Sequence, residues 1–171
     1  LLYCTHRKMT SMCNPIIVEL FGKTLQGKSG SVKTADALAG KVVGLYFSAH
    51  WCGPCRSFTP TLAQAYKDIV ASGKNLEIVF LSSDRDDSSF NEYYGEMPWL
   101  ALPFSEREKK EHLSKFYKVA GIPTLVFVDE QGQTITTKGR AAISSDPSGE
   151  NFPWIPPTLE EALGDEFIKN D

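Results

Sequence analysis

A buried strand, a cysteine pair and an amphipathic helix follow one another without interruption, and this succession constrains the fold more than any other feature of the chain. Lys41-Val42-Val43-Gly44-Leu45-Tyr46-Phe47 is nearly all apolar and rich in strand formers. Such a run, without polar alternation, suits a central strand covered on both faces. Ser48-Ala49-His50 leads into Trp51-Cys52-Gly53-Pro54-Cys55-Arg56, after which Phe58, Leu62, Ala65, Tyr66, Ile69 and Val70 recur at helical spacing as far as Ser72-Gly73. A chain organised around this unit must form a sheet with a helix packed across it.

The remaining segments supply partners for both. Residues 16–21 are a short apolar run, read as a first strand or a helical turn, and residues 22–31 as a polar, glycine-containing turn region. A short helix over 34–39 is ended by Gly40. Residues 76–81 read as a second buried strand, 82–87 as a polar loop, and 88–94 as a short helix with Phe90, Tyr93 and Tyr94 turned inward. Residues 97–104 are apolar but bracketed by prolines, which predicts an extended segment without a long strand. Residues 107–119 have the pattern of an amphipathic helix, with Leu113, Phe116 and Tyr117 on its apolar face. Residues 125–128 are a further strand, joined by a hairpin-like turn over 129–133 to an arm at 134–138 near the sheet edge. The β-α-β-α-β-β order implies an α/β sandwich with helices on both faces of a mixed sheet.

With 171 residues there is room for one domain, which would bury roughly 70% of the surface its unfolded chain exposes. The domain is expected over residues 14–157. A disordered extension over 1–13 precedes it, and a C-terminal helical tail over 158–171 follows, opened by a Thr158/Glu161 capping box and weakened by Gly164. Eighteen basic against twenty-one acidic residues give a net charge of −3, so charge supplies no argument for a nucleic-acid or membrane partner, and neither is expected. The sequence has no apolar run of the length a transmembrane helix needs. Its opening lacks the basic head, apolar segment and cleavage site of a signal peptide. A cytoplasmic location is expected, with the nucleus as the alternative.

The four cysteines, Cys4, Cys13, Cys52 and Cys55, are too few for a disulfide-stapled framework. Cys52 and Cys55 open a helix, where unpaired N–H groups and the positive end of the helix dipole favour a thiolate. Residues three apart in a first turn can meet the Cα separation of a disulfide. Pro54 is tolerated there because its missing N–H is harmless. Gly53 lets a partner chain approach, and Trp51 offers a broad apolar surface that favours a protein partner. A zinc site would need two more ligands, with Cys4, Cys13, His6 and His50 as the candidates weighed. A purely structural disulfide would close almost no loop and stabilise little. The favoured reading is a redox dithiol. Pro123, in Gly121-Ile122-Pro123-Thr124, reads by itself as a strand-start proline. Paired with the dithiol, a cis Ile122-Pro123 bond is expected to present the Ile122 backbone to an extended peptide.

Together YFSAHWCGPCRSFTP, Gly121-Ile122-Pro123-Thr124, Ser82-Ser83-Asp84-Arg85-Asp86, residues 93–104, Asp146-Pro147 and Phe152-Pro153-Trp154 resemble the thioredoxin superfamily, and within it the tryparedoxin and nucleoredoxin branch. The resemblance covers residues 16–157. It implies a thioredoxin-like three-layer sandwich with a central mixed β-sheet flanked by helices. By resemblance, Cys52 is the nucleophile, Cys55 the resolving thiol and Pro123 the cis proline, while Trp51, Gly53, Pro54, Arg56, Tyr93, Ile122 and Arg140 belong to the active-site surface. The chain departs from the branch at Gly53-Pro54, where two prolines are usual, and at Arg85, where tryparedoxins commonly carry an acid. Tyr46 stands where ordinary thioredoxins place a buried aspartate. The implied activity is reduction of protein disulfides, with no cofactor or metal. Oxidised proteins such as peroxiredoxins are the implied clients, and an external thiol or reductase, trypanothione among them, is the implied donor. The alternative is a redox-controlled protein-binding module of the nucleoredoxin type.

Overall fold

The structure, a computed structural model, describes residues 14–158 and 161–162. The expected extension over 1–13 and most of the expected tail helix lie outside the described residues. The tail's capping box is present: Thr158 N donates to Glu161 Oε2 at 2.8 Å, and Glu161 N donates to Thr158 Oγ1 at 3.2 Å.

In chain order the elements are α1 (Pro15–Phe21), β1 (Thr24–Gly27), β2 (Gly30–Lys33), α2 (Thr34–Ala37), β3 (Val42–Ser48), α3 (Gly53–Ala71), β4 (Leu76–Ser82), α4 (Asp87–Gly95), β5 (Leu100–Ala101), α5 (Arg107–Phe116), β6 (Thr124–Val128), β7 (Thr134–Thr136) and α6 (Gly139–Ser145). The strands form one sheet in the order β2-β1-β5-β4-β3-β6-β7. β4 pairs parallel with both β3 and β5, and the other ladders are antiparallel, so the sheet is mixed as expected.

The uninterrupted apolar run of β3 is explained by its two covered faces. Val43, Leu45 and Phe47 join Ile17 and Phe21 of α1, Leu38 at the cap of α2 and Leu113 of α5. Tyr46 points the other way, into a second core with Phe58, Leu62 and Ile69 of α3, Phe90 and Tyr93 of α4 and Ile143 of α6. Each large side chain fully buried in these cores contributes about 1.5–3 kcal/mol. The result is a three-layer α/β sandwich with β3 and β4 near its middle.

Several local readings change. The ambiguous segment at 16–21 is helical, because Pro15 occupies the first turn and the Asn14 side chain caps it by accepting from Ile16 N at 3.0 Å. The region read as a turn over 22–31 contains most of a hairpin, β1 and β2, whose inward residues are Leu25 and Gly27. The helix read over 107–119 stops at Phe116, since Tyr117 caps it and Lys118 adopts a left-handed φ of 51°. Phe116 is exposed, whereas Leu113 and Tyr117 are buried. The sequence reading assigned no element to α6. It packs so closely on β6 that a Cβ at Gly139 would lie 2.6 Å from the Leu125 carbonyl oxygen.

Candidate active site

The cysteine pair lies where β3 hands over to α3. Cys52 is the N-cap of α3, and Arg56 N donates the first helical hydrogen bond to Cys52 O at 3.1 Å. Pro54 occupies the first turn, so it removes no helical bond. The Cys55 N–H instead donates to Cys52 Sγ at 3.3 Å. Cys52 and Cys55 form a disulfide with their Cα atoms 5.2 Å apart. Cys52 retains 6% exposure and Cys55 none, so an approaching partner meets Cys52 first. The same N–H and the helix N-terminus stabilise a Cys52 thiolate when the pair is reduced.

Beneath the pair lies a chain of four hydroxyls. Thr59 stands one helical turn after Cys55 and donates back to its carbonyl at 2.9 Å. The Thr59 oxygen also meets the Tyr46 hydroxyl at 2.8 Å and the Tyr93 hydroxyl at 2.6 Å, and Tyr93 meets Ser48 Oγ at 3.0 Å. One proton arrangement satisfies these four contacts: Tyr46 and Tyr93 donate to Thr59, Thr59 donates to Cys55 O, and Ser48 donates to Tyr93. Burial raises the Tyr46 phenol above the ordinary tyrosine range, so it remains a neutral donor. Tyr93, turned inward as its spacing predicts, is fully buried, so it meets the site from below through this network and not at the active-site surface that the resemblance implied.

The loop after β4 fixes the approach to the pair. Asp84 is buried; its Oδ1 accepts from His50 N at 2.7 Å and its Oδ2 from Ser82 Oγ at 2.8 Å. The Trp51 indole N–H donates to Ser83 O at 3.0 Å, while its ring stays 57% exposed. The His50 ring stacks on Tyr93, with centroids 5.6 Å apart. This convergence reflects the parallel pairing of β3 with β4, which brings the loops at their C-terminal ends side by side.

Facing the sulfurs is the loop before β6. The Ile122-Pro123 bond is cis, and the Ile122 carbonyl oxygen lies 3.8 Å from Cys52 Sγ. Ile122 packs with Ala49, Cys52 and Cys55. Arg140 donates through Nη1 to Pro123 O at 3.2 Å, and its guanidinium carbon lies 5.4 Å from the centre of the Phe58 ring. A groove of about 260 Å³ adjoins Trp51 and Ile122 and is lined further by Gly121, Ser83, Lys110 and Ser114. Gly53 faces open space, and Arg56 and Arg85 are exposed. Among the described residues, no group of three or more His, Cys, Asp or Glu is placed to hold a metal ion.

The sequence reading missed Ser48, Thr59 and Asp84 as site residues. Thr59 had a local signal, its place four residues after Cys55 on a helix. Ser48 and Asp84 stood in quoted stretches without a role, because only the packing of α4 brings Tyr93 to Ser48 and only the pairing of β3 with β4 brings Asp84 to His50.

Comparison with known proteins places this geometry in a family. A family profile described as thioredoxin-like matches residues 40–134. Human nucleoredoxin is 43% identical over 143 residues, which cover 83% of this chain and 33% of the relative. The tryparedoxin of Trypanosoma brucei brucei is 50% identical over 132 residues, covering 76% of this chain and 90% of the relative. The crystal structure of native tryparedoxin I from Crithidia fasciculata superposes with a TM-score of 0.77 at 42% identity, over 82% of this chain and 99% of that one. The chain thus spans a quarter to about a third of the length of the nucleoredoxins it matches and nearly the whole of the tryparedoxins. The chain belongs to the thioredoxin superfamily, in its tryparedoxin/nucleoredoxin-like branch.

Proposed function

We propose that this chain is a thiol-disulfide oxidoreductase that reduces protein disulfides through Cys52 and Cys55. The observation that carries this reading is the asymmetry of the pair: Cys52 sits at the helix N-terminus on the accessible side, and Cys55 is sealed behind it. The Cys52 thiolate attacks one client sulfur, a Cys52–client bond forms, and the client's other sulfur leaves with the electron pair and takes up a proton. Cys55 then gives up its proton and attacks Cys52 Sγ. The second client thiol is released and the Cys52–Cys55 disulfide forms, so the client gains two electrons and two protons in all.

Trp51, Ile122 and the adjoining groove supply the docking surface for an extended client segment. Oxidised proteins of the peroxiredoxin kind are suitable clients, and an external thiol or reductase regenerates the dithiol. Exposed Arg85 disfavours a cationic thiol such as trypanothione at that position. A reducing compartment, the cytoplasm or nucleus, suits a dithiol that must be reduced again after each turnover.

The test is a donor panel with one common disulfide substrate: trypanothione with its reductase, glutathione, and thioredoxin reductase. We expect at least one donor to sustain turnover that Cys52→Ser abolishes. Failure of all three, or turnover that survives Cys52→Ser, overturns the reading. The match to nucleoredoxins and the exposed Trp51 ring also favour a second reading, a redox-controlled binding module. In that case a Cys52→Ser/Cys55→Ser variant still binds its partner and no donor sustains turnover.

A further inference from the structure

We propose that Arg107 is a positioning residue for the active site, holding Trp51 and His50 in place beside the cysteine pair through residues 82–84. Arg107 opens α5, away from the sulfurs, and takes no part in the exchange chemistry. Its guanidinium nevertheless forks between two backbone carbonyls. Nε donates to Phe104 O at 2.6 Å and Nη1 to Ser82 O at 2.9 Å. The guanidinium carbon also lies 4.0 Å from the centre of the Phe104 ring. Asp84 and Glu111 act on it as opposite charges.

Ser82 is the last residue of β4, and the bonds leaving it run directly to the active-site segment. Its hydroxyl donates to Asp84 and accepts from Asp84 N at 2.9 Å. Asp84 holds the His50 N–H, and Ser83 O holds the Trp51 indole. Ser83 N donates to Ser48 O at 2.9 Å, which ties the start of the same segment. Both the backbone and the side chain leading into Cys52 therefore hang on three residues whose outer anchor is Arg107. A planar fork is what two diverging carbonyls require; a lysine ammonium is a point donor without that geometry. Cys52 itself is fixed separately as the N-cap of α3. Loosening Arg107 should disturb the Trp51 docking surface while leaving the sulfur chemistry in place.

The decisive measurement is indole N–H exchange at the three tryptophans, by NMR on full-length wild type, Arg107→Gln and Arg107→Lys. Trp154 is an internal reference, because its Nε1 donates to Asp146 at 2.9 Å in a separate network. In Arg107→Gln we expect Trp51 exchange to accelerate about tenfold, the scale of one loosened charge-assisted bond, with Trp154 unchanged. Arg107→Lys, keeping the charge without the fork, should fall between. Unchanged Trp51 exchange, or equal acceleration at Trp51 and Trp154, overturns the proposal. If Arg107→Gln does not fold, the Trp51-to-Trp154 ratio in Arg107→Lys decides it.

The kinetic arm rests on the disulfide-reductase reading. In Arg107→Gln, kcat/KM toward a protein disulfide should fall about tenfold, while a small aromatic disulfide stays within about twofold. Equal losses toward both substrates contradict a docking role. A wild type that reduces neither substrate defeats the reductase reading, and the exchange data still decide the positioning role.

Discussion

Replacing Thr59 with valine removes one oxygen from the middle of the hydroxyl chain beneath Cys55 and nearly preserves the side-chain volume. That oxygen accepts from Tyr46 and Tyr93 and donates to Cys55 O, all in a fully buried or nearly buried setting. Without it, Tyr93 can turn its proton to Ser48, 3.0 Å away, and loses little. Tyr46 keeps a 3.4 Å reach to Cys55 O and looser approaches to Ser48 and Tyr93, weak contacts for a buried phenol. The expected cost is about 1–3 kcal/mol for the stranded phenol plus about 1 kcal/mol for the lost bond to Cys55 O. Greater burial of a methyl group offsets part of this, leaving about 2–3 kcal/mol of destabilisation. Tyr46→Phe should cost only about 1 kcal/mol, because Thr59 keeps Tyr93 as a donor and Cys55 O as an acceptor. The double variant Tyr46→Phe/Thr59→Val strands no phenol, so it should be more stable than the sum of the singles by about 1–2 kcal/mol. Urea denaturation of the oxidised proteins measures all three. Strict additivity, or a Thr59→Val no worse than Tyr46→Phe, would refute the proton arrangement assigned to the network.

Brief alkylation of the reduced protein at neutral pH should modify Cys52 before Cys55, as peptide mapping would show, because Cys55 is sealed; dominant early label on Cys55 contradicts the assignment. Burial opposes ionisation of Asp146, but N–H donors from Asn151, Glu150 and Trp154 outweigh it and hold the carboxyl below its ordinary range. With a depressed folded-state pKa, its contribution is complete above the unfolded value of about 3.9 and disappears as pH falls through the folded value. Stability measured from pH 6 downward should therefore decline less steeply in Asp146→Asn than in wild type, and parallel curves would contradict this. Gly139→Ala should destabilise by about 1–3 kcal/mol, because its Cβ would press on Leu125 O, whereas Gly53→Ala, facing open space, should change stability by less than about 1 kcal/mol. Thermal melts of the two variants give the comparison.

Much of the architecture was legible because local pattern and tertiary environment agree. The apolar run over 41–47 needs two covered faces and receives them, and Phe90, Tyr93 and Tyr94 turn inward as their spacing requires. The cysteine pair was legible for a related reason: a three-residue spacing at a helix start fixes its own geometry, and the structure places Cys52 at the cap with Cys55 within bonding reach. Less was legible where local signals are weak. Each strand of the β1–β2 hairpin is only four residues long, and β1 gains its place by pairing with β5 through Gln26 and Ala101. Phe116 has an apolar side chain near the end of α5 yet stays 62% exposed, with the neighbouring Tyr117 ring against it.

Long-range pairing decided the rest of the site. Parallel alignment of β3 with β4 carries Asp84 to His50, a contact across 34 positions of sequence. Packing of α4 on the sheet carries the buried Tyr93 hydroxyl to Thr59. Residue types and spacing along the chain determine which groups can exchange electrons, because thiol chemistry and the helix terminus are local properties. Which hydroxyls, carboxylates and rings surround those groups depends on strand order and helix docking, because hydrogen bonds act over about 3 Å and only the folded chain brings distant residues that close.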